Sequence, residues 1–194
     1  MTDRKPVDAG FPSRAWPRGR PLARIHREGL GPWWFSDDGS GRFDPVGVAG
    51  MGACYLAQDE LGAFVEVFRT PTTIAQADIE GRRLCVVTLG RELQLADLCS
   101  RRALSYGVTA ELGAGGDYEQ SQQFAAEALE AGFDGVRWWV RHDPSQKLVG
   151  VALFGPAGAP SAPRKWPMPN PIELSDRLLT RARRDFGYRV VPRP

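Results

Sequence analysis

Sixteen residues, "ACYLAQDELGAFVEVF" (53–68), constrain the fold more than any other stretch. "ACYLA" is an uninterrupted apolar run with the length of a buried strand. Leu61, Phe64, Val65 and Phe68 then fall at i, i+3, i+4 and i+7, the spacing of a helix with one apolar face. Asp59 precedes that stripe as a helix N-cap. A strand that passes directly into a helix must bury both elements against something else. Candidate strands follow at "RLCVVTL" (83–89), "DGVRWWV" (134–140) and "KLVGVALFG" (147–155), and one precedes at "PLARIHREG" (21–29). A second helix is predicted over 118–132, with Phe124, Ala125, Ala128 and Leu129 on its apolar face and Gly132 at its C-terminal cap. A third is predicted over 172–186, with arginines opposite Ile172, Leu178, Leu179, Ala182 and Phe186. Strands and helices mix without a regular βαβ rhythm, which predicts an α+β fold.

The remaining segments read as connections. Residues 1–20 carry three prolines and scattered charges and are expected to form an irregular arm. Residues 30–52 hold six glycines and two prolines, a long loop of the kind that carries function. In that loop, Trp33 and Trp34 read either as an aromatic wall of a site or as a plug over the core. Residues 90–116 are mixed, with a short helix and a loop. Six prolines in 156–171 predict a stiff linker.

The 194 residues suffice for one domain with a real core. The formal net charge of +2 does not mark a dedicated nucleic-acid binder. Its distribution is uneven, with residues 164–194 carrying a net +5 and the body a net −3. A basic tail of this kind docks on an acidic partner or on its own domain. The three cysteines, Cys54, Cys85 and Cys99, have no metal spacing and read as reduced thiols of a cytoplasmic protein. His26 and His142 are too far apart in sequence to suggest zinc. Nothing resembles a signal peptide or a membrane span.

The candidate site residues are Arg24, His26, Arg42, Tyr55 and Glu66. Arginine offers a planar fork of donors suited to phosphate or carboxylate, and Arg42 sits in the glycine-flanked "GSGRFDP". Each arginine reads equally as half of a surface ion pair. His26 shares a strand face with Arg24 if "LARIH" is extended. Tyr55 inside its apolar run reads as core packing or as part of a site. Glu66 lies about 150° from the centre of the helix's apolar stripe, which alone assigns it to the solvent side. Gly62 and Ala63 beside it would nonetheless admit a close neighbour. No Walker or dinucleotide glycine motif is present.

In order, "LARIH…SGRFDP…GACYLA…AFVEVF…FDGVRWWVRHDP…VALFG" resembles the RES-domain family over residues 21–156. The resemblance implies an ADP-ribosyltransferase-like mixed sheet with flanking helices, and a toxin of a toxin–antitoxin pair that consumes NAD without a metal. Residues 157–194 would then form a proline-rich linker and a basic helix outside the NAD-processing domain. By the same resemblance Arg24 and Arg42 hold the pyrophosphate, with His26 beside them. Tyr55 packs on the nicotinamide or its ribose, and Glu66 is the acid that stabilises the ribosyl cation. The catalytic set would be Glu66, Tyr55 and Arg24. The implied partner is a small helical antitoxin, with no direct nucleic-acid or membrane contact. Transfer of ADP-ribose to a protein, or a weakly active interaction module, are the alternatives. The sequence departs from the family at Val140, where relatives carry a serine.

Overall fold

A computed structural model describes residues 4–161 and 165–192. Its strands are β1 (Ser13–Trp16), β2 (Pro21–Arg27), β3 (Met51–Ala57), β4 (Thr73–Ala75), β5 (Arg82–Thr88), β6 (Leu93–Asp97), β7 (Gly135–Trp139), β8 (Val149–Pro156) and β9 (Arg189–Val191). The helices are α1 (Glu60–Phe68), α2 (Gln76–Glu80), α3 (Ala110–Ala114), α4 (Glu119–Glu130) and α5 (Asp176–Phe186), with a 3-10 helix at Arg101–Tyr106. Seven strands form one mixed sheet in the order β1-β6-β7-β8-β3-β2-β5, and β4 and β9 pair in parallel as a small second sheet. Among the described residues no helix is long and apolar enough to cross a membrane.

The five strands and three helices expected from periodicity all form. Asp59 caps α1 by accepting from the Gly62 N–H at 2.8 Å. Gly132, at φ 88°, ends α4 in the left-handed conformation that glycine adopts without strain. The third helix starts later than predicted, at Asp176, because Ser175 caps it and Ile172 instead bridges to Leu84 on β5.

Side-chain alternation gives the sheet two faces with different covers. On one, Cys54, Leu56, Cys85, Val87, Val151 and Leu153 form a core closed by Trp33, Phe35 and Trp166. Trp33 stacks on Phe35 and donates its indole N–H to the Pro167 carbonyl at 2.7 Å, so it is the plug, while Trp34 is exposed. Residues 165–171 of the proline-rich segment are therefore a strap over the sheet rather than the stiff linker expected, anchored by Trp166. Residues 4–20 are likewise not an irregular arm. They include edge strand β1, paired antiparallel with β6, and bury Phe11 and Trp16. Arg164 and Arg193 of the basic tail, and Pro163 of the proline-rich segment, lie outside the described residues.

The other face carries the helices, and its core is divided. One cluster gathers Phe124 and Ala128 of α4 over Ala53, Val136 and Ala152. The other gathers Leu61, Phe64 and Val65 of α1 with Leu178 and Ala182 of α5 over Ala23, Ile25 and Leu84. Tyr55 lies between Ala53 and Ala57 on β3, at the seam between the clusters. The seam is open.

Candidate active site

The opening has a simple cause in the sheet. β2 and β3 are neighbours, yet they pair at one position only, Ala23 with Ala57, and then diverge. The Tyr55 carbonyl is left without a strand partner on that side. The Arg24 guanidinium crosses the gap and donates to it at 3.1 Å, with a second contact to the Cys54 thiol. Arg24 thereby reaches a cleft of about 720 Å³ that Arg42, Tyr55, Glu66 and Trp138 also line.

His26 does not line it. Alternation puts His26 on the same sheet face as Arg24, as predicted, but it lies toward β5 rather than the β2–β3 gap. Its Nδ1 donates to the Arg27 carbonyl at 2.9 Å, leaving Nε2 to meet the Cys85 thiol at 3.3 Å. The ring is 5 % exposed, and burial lowers its pKa, so His26 is a neutral core histidine.

Glu66 points into the cleft and not into water. Its half-buried carboxylate accepts from the Trp138 indole N–H at 3.3 Å. Burial raises its pKa, while the Trp138 hydrogen bond, Arg69 and Arg42 pull it back down. The indole can lie there because Gly150 stands opposite Trp138 across β7 and β8, where any Cβ would occupy the space of the ring. Phe43 and Tyr55 flank the same indole, with ring centroids at 4.8 Å and 6.2 Å. The cleft thus has an aromatic wall beside its one carboxylate.

Arg42 is held from behind. Its Nη2 donates to the Gly115 carbonyl at 2.8 Å, and its guanidinium lies 4.5 Å from the centre of the Tyr118 ring. Ser121, buried on α4, donates to the Leu112 carbonyl at 2.7 Å and so secures the segment that receives Arg42. The loop carrying Arg42 is tied down by Asp44, which has no exposed surface. Asp44 accepts from the Tyr55 hydroxyl at 2.8 Å, the Gly41 N–H at 2.9 Å and the Ser36 hydroxyl at 3.1 Å. The Tyr55 hydroxyl also accepts from the Phe43 N–H at 2.8 Å. Burial and Asp44 push the Tyr55 pKa up, so its proton stays committed to Asp44. Tyr55 contributes a ring to the cleft and a clamp to the loop.

Arg27, Arg69, Arg82, Arg141, His142 and Thr70 also line the cleft. Of these, Arg27 stands out in the sequence beside Arg24, and His142 only as an unlikely zinc ligand; the others carry no local signal, because the group comes from the ends of four elements. Counting Arg24 and Arg42, six arginines face one carboxylate, an environment suited to an anion with more than one phosphate. Val140, the departure from the family, is 1 % exposed in the core under α1 and does not line the cleft.

The RES domain family model matches residues 21–170, and the chain belongs to that family. Among curated proteins no relative matches. Among solved structures, a chain of the M. tuberculosis MbcT–MbcA toxin–antitoxin complex is similar, with 21 % identity and a TM-score of 0.60. The match covers 88 % of this chain and 92 % of that one, so the two share a fold over nearly their whole length. The expected α+β mixed sheet with flanking helices is the fold observed.

Proposed function

We propose that this protein is the toxin of a toxin–antitoxin pair and that it consumes NAD by breaking the nicotinamide–ribose bond. The observation that carries the reading is the pairing of six arginines with a single carboxylate, Glu66, in one aromatic-walled cleft. Arg24 and Arg42 hold the pyrophosphate, Arg24 from the strand gap and Arg42 from the clamped loop. The Tyr55 and Trp138 rings bound the pocket for the nicotinamide and its ribose. As the N-glycosidic bond breaks, positive charge develops on the ribosyl carbon. Glu66, with only one N–H engaging its carboxylate, stabilises that charge or holds a ribose hydroxyl. Family membership and the fold shared with a toxin–antitoxin complex support the toxin reading, with a small helical antitoxin as partner. The acceptor of the ADP-ribosyl group, whether water, phosphate or a protein, is set by what approaches the open side of the cleft.

The test is incubation of the purified protein with NAD, with and without phosphate and with cell lysate, following nicotinamide release and labelled protein. Nicotinamide release is expected. A protein that neither releases nicotinamide nor binds NAD by calorimetry overturns the reading.

A further inference from the structure

Arg27 on β2 and Arg82 on β5 stand directly opposite one another. Both line the cleft. Like charges facing each other across an antiparallel pair repel and weaken the sheet. Nearby sequence shows how such charges are usually managed, since Arg83 pairs with Glu28. Among the described residues, neither Arg27 nor Arg82 belongs to an ion pair, and neither guanidinium donates a hydrogen bond. Arg82 lies over the Phe68 ring at 5.3 Å, which orients its fork at the C-terminal end of α1. Burial and the facing Arg27 both lower its pKa, and Asp78 pulls it part of the way back. A dianion between the two guanidiniums would remove that repulsion and take up both forks.

This pair is distinct from the group around the carboxylate. Arg42 and Arg141 both donate to the Gly115 carbonyl, at 2.8 Å and 3.4 Å, on the side of the cleft built by the glycine loop and the end of β7. Arg27 and Arg82 face each other at the end of the β2–β5 pair. The cleft therefore holds two cationic groups, one beside the glycine loop and β7 and one at the β2–β5 edge.

We infer that Arg27 and Arg82 form a second anion subsite, for a phosphate monoester carried on the substrate away from the bond that breaks. The substrate class this defines is a dinucleotide with a third phosphate, such as NADP, in preference to NAD. The inference rests on the proposed NAD reading. A monoester suits the subsite because it carries close to two negative charges at neutral pH and offers three acceptor oxygens. A free phosphate attacking the ribosyl carbon would instead need to lie in the group around Glu66.

The test compares initial rates of nicotinamide release from NADP and from NAD, for wild type, Arg27→Gln and Arg82→Gln. Wild type is expected to favour NADP by about tenfold or more in kcat/KM, the scale of one or two charge-assisted contacts. Either substitution should bring the ratio of the two substrates close to one, and Arg82→Lys should restore part of it. Inorganic phosphate, titrated as a competitor, should inhibit NADP turnover more than NAD turnover. Equal use of the two dinucleotides by wild type overturns the inference. So does a phosphate-dependent acceleration of NAD cleavage that either substitution abolishes, which would make the pair a site for free phosphate. If neither dinucleotide releases nicotinamide, the proposed reaction fails. The subsite is then judged by calorimetry, where NADP binding no tighter than NAD refutes it.

Discussion

Glu66→Gln separates the demands of folding from those of the proposed reaction. Glutamine keeps the shape and the oxygen that accepts from Trp138 Nε1, and removes the charge. Burial is the largest influence on the Glu66 carboxyl and raises its pKa. A raised pKa means that the fold favours the protonated form. The resulting stabilisation is complete below the ordinary carboxylate range and is lost as pH rises through the raised value. At neutral pH the wild type therefore bears the burden of an ionised, half-buried group, and the variant does not. A gain of about 1 kcal/mol would raise Tm by about 2–4 °C for a domain of this size. The gap should close on acidification, as the wild-type carboxyl takes up its proton. Turnover of NAD should fall by about 10²–10³, the scale of removing one preorganised electrostatic contact to a transition state, with NAD affinity near wild type. Thermal melts at neutral and acid pH, with nicotinamide release on the same samples, provide the measurements. A variant that cleaves NAD at the wild-type rate refutes Glu66 as the active-site acid, and a lowered neutral-pH Tm refutes the account of its burial.

Two further predictions concern the walls of the cleft. In Gly41→Ala the new Cβ would collide with the Tyr55 hydroxyl and the Asp44 carboxylate, so Tm should fall in line with about 1–3 kcal/mol and NAD affinity should drop as Arg42 moves. A variant that melts and binds like wild type dissolves the proposed clamp. Val140→Ser introduces a hydroxyl into an apolar core at a position that does not line the cleft, so it should lose about 1–3 kcal/mol in denaturant unfolding and gain no turnover. Faster NAD cleavage by that variant would place residue 140 at the reaction after all.

The local periodicities predicted α1, α4 and five strands because each buries a face that its own residues declare. What they could not supply was the identity of the neighbours. The helical wheel correctly separated Glu66 from the α1 core stripe, but the space beyond it is occupied by Trp138, 72 residues away, and not by water. β1 was hidden because only Trp16 of its four residues is buried, leaving no apolar run to read. The strap was read as a linker from its prolines, although Trp166 is the residue that decides its course. For Arg24 and His26, alternation gave the same face. Their different fates follow from where β2 leaves β3, a property of the sheet and not of either residue.

Asp44, behind Tyr55, and Glu66, in the cleft, have environments that divide their work. Asp44 accepts from the Tyr55 hydroxyl and the Gly41 N–H and shares the Ser36 hydroxyl with Asp38, so its charge is spent on holding a loop. Glu66 accepts from one indole N–H in the opposite wall. Its remaining acceptor capacity faces the cleft, which Arg42 and Arg69 also line. Six arginines without any carboxylate would bind an anion and equally oppose the positive charge that develops when the glycosidic bond breaks. In the proposed reaction Glu66 would supply the local reversal of sign, and the Asp44–Tyr55 clamp would hold the loop that carries Arg42 to the phosphates. Binding and bond breaking thus need opposite charges a short distance apart. The seam between the two core clusters is where β3, β7, α1 and the glycine loop bring them together.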